Sequence, residues 1–429
     1  MNDFTFEANA EFALQLDRLD ELKMFRNQFF IQDSELIYLD GNSLGRLPLV
    51  TRQLLTGAVD NQWGKRLIRS WNEGWYDLPK VISGKIAKII GADADEVMAC
   101  DSTSMNLYKL AWAAIKGQKG RTKIVSDELN FPTDLYVLQS IIHQFGAEYE
   151  LVLAPSDNGV GVSLEALSSV IDENTALVVL SHVAFKSAFM YDMQKVNELA
   201  HSHGALIIWD LSHAAGAVPL HLSASGADMA VGCTYKYLNG GPGSPAFLYV
   251  SRKLHNQLIS PVWGWFGDER PFAFDHHYKP AAGIAKFMVG TPPILSLAAI
   301  EPGLDIILAA GLEKLREKSI KQTDYLIFLA KNFLIPLGFQ FGSPLNHFER
   351  GSHVSLQHPE AYRICQAMIN PTDGSHAIIP DFRSPDNIRF GITPIYTTYE
   401  EIYQAIRRLE EITSKKWFEN YSKKILAVT

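Results

Sequence analysis

The sequence predicts an α/β fold: a three-layer α/β/α arrangement around a mainly parallel central sheet, followed by a smaller C-terminal α+β domain. Two observations predict it. From about residue 80 to 255, short β-branched runs alternate with longer helical patterns, the order that βαβ units impose. Beyond them the pattern changes to long helical stretches and then to two separated strand runs and an amphipathic helix. The 429 residues leave room for both parts, since single cores stop growing near ~250 to 300 residues.

Taken in order, the N-terminal 50 residues hold a helix and then the extended "LIYLDGNSLGRLP", whose glycines and proline mark an ordered loop. "TKIVSD" precedes the helical "DLYVLQSIIHQFG", and "TALVVLSHV" precedes "DMQKVNELAHSHG". "LIIWDLSHAAG", "MAVGCTY" and "PAFLYVS" supply further strands. The stretch from "TPPIL" to "LAKNFL" reads as long helical material. "GSHVSLQH" and "NIRFGI" read as strands, and "TYEEIYQAIRRLEEITSKK" as a closing amphipathic helix. The expected division is 1–55 for an N-terminal helix and covering segment, 56–305 for a large domain and 306–429 for a small one.

Composition narrows the function classes. With 39 basic and 47 acidic residues the net charge is −8, and no basic cluster with interleaved aromatics points to nucleic acid or an anionic membrane. A small molecule is the expected partner. Three scattered cysteines, Cys100, Cys233 and Cys365, argue against a disulfide framework and for a reducing, cytoplasmic setting. No apolar stretch approaches the ~18 residues of a spanning helix, and no export signal is expected. His201 with His203 and His276 with His277 lack a convincing third ligand, so no catalytic metal is expected.

Candidate chemistry gathers at strand ends, where open α/β sheets bind ligands. Asp210 ends the apolar "LIIWD", and a carboxylate there needs a cationic or hydrogen-bonding partner. Lys236 follows 26 residues later, between two tyrosines and before "LNGGPG". A strand-end aspartate able to pair with a pyridinium nitrogen, with a lysine framed to meet an aldehyde, suits pyridoxal phosphate (PLP). Each residue alone has a plainer reading: Asp210 as a helix cap and Lys236 as a surface lysine.

Ser102, Thr103 and Ser104 in "CDSTSMNLYKLAWAAI" stand before an apolar-periodic segment, ready to hold a phosphate or simply to cap a helix. Phe131 in "LNFPTD" is placed to lie against a cofactor ring or to join the core, and Asp134 follows within reach. Ser181 and His213 also sit at strand ends. Trp265 in "GWFGD" and Thr291 in "VGTPPIL" offer an indole N–H and a hydroxyl, or loop packing.

"YLDGNSLGRLP", "FPTD", "LSHVAFKSAFMYD", "WDLSHAAGAVPLHL", "TYKYLNGGPGSPAFLYV", "GWFGDERPF", "TPPIL" and "NIRFGITPIY" occur in that order between about residues 35 and 410. In this the chain resembles the kynureninase family, fold type I PLP enzymes of the aspartate aminotransferase superfamily. The resemblance implies hydrolysis of L-kynurenine to anthranilate and L-alanine. It implies Lys236 as the cofactor-bonding lysine, Asp210 as partner of the pyridine nitrogen and Phe131 stacked on the ring. Thr103 and Ser104 would bind phosphate. Tyr235, Trp265 and Thr291 would contact phosphate or substrate, the last two from a neighbouring subunit of a homodimer. Asp134, Ser181 and His213 match cofactor-contacting positions.

Arg389 matches the arginine that clamps the substrate carboxylate, a role suited to a planar guanidinium. Ser43 and the backbone of "GNSLG" would reach the same carboxylate. Lys236 would act as both leaving group and base, and Tyr235 as the acid that protonates the alanine carbanion. Animal members tend to carry Ser-Asn before "PPIL"; Gly290 and Thr291 stand there in this chain, which implies a preference for kynurenine over 3-hydroxykynurenine.

Two alternatives stay open at this level. One is another PLP enzyme of the same fold, an aminotransferase or a cysteine desulfurase, though Cys365 in "AYRICQAMI" reads as helical core rather than a mobile loop. The other is a non-catalytic PLP sensor, against which the intact Lys236, Asp210 and Arg389 speak.

Overall fold

The computed structural model describes residues 6–32 and 36–424. A seven-stranded sheet has the order Val97–Ala99, Phe247–Val250, Met229–Gly232, Leu206–Asp210, Thr175–Ser181, Lys123–Asp127 and Glu150–Ala154. Six of these strands run in one direction, and Phe247–Val250, antiparallel to both its neighbours, runs against them. The strand runs read in the sequence are present. Val97–Ala99 and Glu150–Ala154, which the pattern did not single out, extend the two edges.

Alternation along each strand splits the core into two layers. Val178, Leu180, Ile207 and Trp209 point into a cluster with Ile82, Ile86, Val196, Leu297 and Leu304. Leu177, Val179, Ile208 and Met229 point the other way, towards Leu107, Leu110, Leu138 and Ile141. Strands buried on both faces read as continuous apolar runs, which is why "TALVVLS" and "LIIWD" were legible as parallel-sheet strands.

The long helical stretch is two helices, Ile294–Ala310 and Leu312–Phe333, bent by 82° at Gly311. No single helix among the described residues is long and apolar enough to cross a membrane. The small C-terminal part holds an antiparallel sheet in the order Asp381–Arg383, Asn387–Gly391, His353–Gln357, Gln340–Phe341. The helices Ala361–Ile369 and Tyr399–Ser414 cover it. Thr398 and Glu401 form a reciprocal capping box that fixes where the last helix starts.

One difference from the sequence reading concerns the N-terminal segment. Ala13, Ile37 and Leu39 belong to the same apolar cluster as Val354, Ile388 and Ile406. Ile37–Tyr38 also pairs in parallel with Ile378–Ile379. Leu22 and Phe29 of the same segment bury instead in the cluster of the large sheet, with Ile82 and Leu297, so the segment divides its apolar side chains between the two cores.

Candidate active site

Where strands of a parallel sheet end, polar groups meet helix N-termini, and this is where most of the singled-out residues converge. Asp210 closes its strand beside Ser181, its register partner on the next strand. The carboxylate is buried and accepts a hydrogen bond from the Ser212 amide at 2.8 Å. Burial raises its pKa, and the charge of Lys236 acts in the opposite sense. Asp210 is therefore a strand-end carboxylate in need of a cation, not a helix cap.

Lys236 lies in the tight loop after Met229–Gly232. The loop is held by Asn239 N–H donating to the Lys236 carbonyl at 2.9 Å and Gly240 N–H to the Thr234 carbonyl at 2.8 Å. Lys236 Nζ lies 3.0 Å from His213 Nε2 and 6.0 Å from the ring centroids of both Phe131 and Tyr235. Burial first, and then the charges of Lys236 and Arg389, hold His213 well below its ordinary pKa, so its imidazole is neutral. The Tyr235 phenol is pushed up, chiefly by the neighbouring Cys233 thiol and then by burial, so it stays protonated.

Asp134 belongs to the first turn of the helix Pro132–Phe145. Only 2% of it is exposed, and Oδ2 has no hydrogen-bond partner among the described residues. Burial and then the Asp210 charge push its pKa well up, against the pull of Lys236. Ser181 Oγ donates to Asn130 Oδ1 at 2.7 Å, which fixes the turn carrying Phe131. Phe131 is 37% exposed, with its ring edge against Phe185 at 5.3 Å. It is not a core residue: an open aromatic face stands above Lys236.

Ser102 caps the helix Thr103–Gly117 by accepting from the Met105 amide. The capping reading is correct for this serine. Thr103 and Ser104 are the first two helical residues, half-buried, and their hydroxyls make no hydrogen bond among the described residues. Together with the first amides of the helix, they are donors of the kind that suit an anion.

Arg389, on the strand Asn387–Gly391, is almost fully buried. Its Nη1 donates to the Phe185 carbonyl, and Nη2 donates to Ser43 Oγ at 2.9 Å and pairs with Asp381. Ser43 arrives there because Gly45 N–H donates to the Tyr235 carbonyl at 2.8 Å, laying the N-terminal segment over the lysine loop. Glycine is required at 45: a Cβ would come within 2.4 Å of the Lys236 carbonyl.

Trp265 and Thr291 are not brought to Lys236 within this chain. Trp265 packs against Phe266, Phe272 and Phe274, and Thr291 is exposed with no side-chain hydrogen bond among the described residues. His201 is occupied structurally, with Nε2 2.9 Å from Asp228. Sequence reasoning missed Asp40, Asn42, Asp381 and His353. His353 is fully buried, pairs in register with Gly391 and has its ring centroid 5.5 Å from that of His213. The only sequence signal was its place in the strand run "GSHVSLQH".

Buried carboxylates awaiting a cation, a neutral imidazole on a lysine, an aromatic platform and helix-start donors that suit an anion describe a site for a charged ring bearing an aldehyde and a phosphate. Comparison with known proteins points the same way. Residues 75–333 match the family model for aminotransferase class-V, and residues 315–409 that for the kynureninase C-terminal domain. The chain is 43% identical over 409 residues to a kynureninase of Pseudomonas fluorescens, covering 94% of this chain and 95% of that one. It is 40% identical to one of Burkholderia mallei, with the same coverage.

Among solved structures, the cysteine desulfurase of Thermococcus onnurineus NA1 superposes with a TM-score of 0.79 at 19% identity, over 91% of this chain and 98% of that one. The cysteine desulfurase CsdA of Escherichia coli superposes with 0.75 at 16% identity, over 92% and 99%. These two establish a shared fold. By sequence, over nearly its whole length, the chain belongs to the kynureninase family.

Proposed function

We propose that the protein is a PLP-dependent hydrolase that cleaves L-kynurenine to anthranilate and L-alanine. The observation that carries this reading is the convergence of Lys236, His213 and Asp210 with the Arg389–Ser43 pair in a chain of this family. The residues fit the cofactor: Asp134 Oδ2 and His213 Nδ1 are buried polar atoms without partners among the described residues, and Asp210 is a buried carboxylate on which the charge of Lys236 acts. When bound, PLP supplies the aldehyde that joins an amine and an electron-poor ring that takes up the electrons released on bond cleavage.

The residues of the chain do the rest. Asp210 would keep a ring nitrogen protonated, Phe131 would orient the ring, and Thr103 with Ser104 would hold the phosphate. Arg389 and Ser43 fix the substrate carboxylate so that its α-hydrogen faces Lys236. The Lys236 amine accepts that proton, and neutral His213, 3.0 Å away, orients the amine without competing for charge. Tyr235 keeps its proton over the working range and delivers it to the carbon that becomes the alanine methyl group.

Several finer assignments belong to the same proposal. The boundary between 56–305 and 306–429 is supported by the separate apolar clusters and by the bend at Gly311, and 1–55 is a segment whose apolar residues reach both clusters. A homodimer is supported by the exposed Phe272 and Phe274 packed on Trp265, which would carry Trp265 and Thr291 to a partner's site. Buried free cysteines suit a cytoplasmic location. Gly290 and Thr291 underlie the preference for kynurenine over 3-hydroxykynurenine, which the ratio of kcat/KM for the two substrates tests.

Incubating PLP-loaded protein with L-kynurenine should give equimolar anthranilate, by fluorescence, and alanine, and Lys236→Ala should abolish both. A transaminated product would instead support an aminotransferase.

A further inference from the structure

The segment that carries Ser43 also brings a second carboxylate up to Arg389. Asp40 pairs through its backbone with Gly391, two residues past Arg389. With its amide oriented to satisfy both neighbours, Asn42 donates to Asp40 Oδ1 at 3.2 Å and accepts from Arg389 Nε at 3.0 Å. Ser43 forms a second link, accepting from Arg389 Nη2 and interacting with the Asp40 carboxylate.

The charges of this cluster decide what it can accept. Arg389 and Arg383 are both paired with Asp381. Among the described residues, with Asp40 ionised, two guanidiniums face two carboxylates and these four groups sum to zero. With Asp40 protonated they carry one positive charge. An incoming carboxylate would leave the buried cluster negative in the first state and neutral in the second, and an uncompensated buried charge is costly.

We propose that Asp40 is the proton switch of the carboxylate-binding site: a carboxylate entering beside Arg389 is accepted together with a proton on Asp40. This rests on the assignment of Arg389 and Ser43 to the substrate carboxylate. Burial, and then the Asp381 charge, push the Asp40 pKa up to about 7, with Arg389 opposing. The other titratable groups that face it are Tyr38 on its own segment, Tyr237 in the lysine loop, Tyr396, and Cys365 on the helix Ala361–Ile369. Each has its pKa raised by burial and is uncharged near neutrality. His213 and His353, beyond Arg389, are held well below their ordinary range. Asp40 is thus the group of this cluster that changes charge near pH 7. The sign follows: below that pH the site is ready for an anion, and above it affinity falls by up to about tenfold per pH unit.

The test uses PLP-loaded protein and 3-phenylpropanoate, a carboxylate without an amine that could react at the cofactor. Calorimetric titration in two buffers of different ionisation enthalpy counts the protons taken up per carboxylate bound, while visible absorbance separately reports any proton change at Lys236. We expect uptake of a large part of one proton just above pH 7. In Asp40→Asn that uptake should vanish and the low-pH affinity should persist at every pH. Uptake that is absent from the parent, or that survives in Asp40→Asn, overturns the proposal. If that variant does not fold, the parent's proton count decides alone. Failure of the parent to bind, or equal binding by Arg389→Ala, overturns the carboxylate assignment itself. Binding that needs Arg389 but takes up no proton leaves the assignment standing and removes the switch.

Discussion

Replacing Arg389 by lysine keeps the positive charge that Asp381 and Asp40 need, so the buried carboxylates are not orphaned as they would be by alanine. What changes is geometry. The guanidinium already engages the Phe185 carbonyl, Ser43, Asp381 and Asn42, leaving one N–H of Nη1 open, so a carboxylate binds by taking that N–H and displacing a weaker partner. An ammonium has three donors on one atom and cannot present two parallel ones. Loss of one charge-assisted hydrogen bond costs about 1.5 to 3 kcal/mol, or about 10- to 150-fold in affinity. Steady-state hydrolysis of L-kynurenine should therefore show KM raised by that factor with kcat much less affected, the pattern of lost uniform binding. A kcat/KM within about threefold of the parent, with the fold intact by circular dichroism, would refute the assignment of Arg389.

Three further outcomes are expected. Tyr235→Phe should slow formation of alanine by about 10²-fold or more, the ordinary contribution of a positioned acid, while the affinity for PLP by absorbance titration changes little. Gly45→Ala, whose Cβ would sit 2.4 Å from the Lys236 carbonyl, should lift the N-terminal segment and cost about 1 to 3 kcal/mol in urea unfolding, with KM raised through Ser43. For Asp40, the folded pKa of about 7 lies above its ordinary 3.8, so the native state binds the extra proton and the parent loses stability as pH rises between those values. Asp40→Asn should gain on the parent over that window, by up to about 4 kcal/mol, and level off above it. A constant difference from pH 4 to 8 would show that Asp40 does not titrate there.

Much of the large domain could be read before the structure because its strands are buried on both faces, and continuous runs such as "TALVVLS" leave few alternatives. Lys236, Asp210 and the Ser102–Ser104 stretch were legible for a related reason: polar residues at apolar strand ends or helix starts stand out locally. Asp40, Asn42 and Asp381 did not stand out, since their meaning depends on pairings such as Asp40 with Gly391 that no local pattern encodes. His353 was hidden similarly: a lone histidine in a strand gains significance only once His213 lies against it. The exposed side of the site, with Trp265 and Thr291, needs a second chain before its role is visible.

The link between Ser43 and Arg389 joins residues 346 positions apart. During synthesis the Ser43 segment leaves the ribosome long before its partner strand exists, with Ile37 and Leu39, both destined for the small core, still uncovered. The carboxylate pocket is therefore among the last parts to close, and closing it carries the loop entropy of most of the chain. Until then those apolar residues are a target for chaperones, and a nascent chain stalled before Arg389 can present its lysine loop but no pocket beside it.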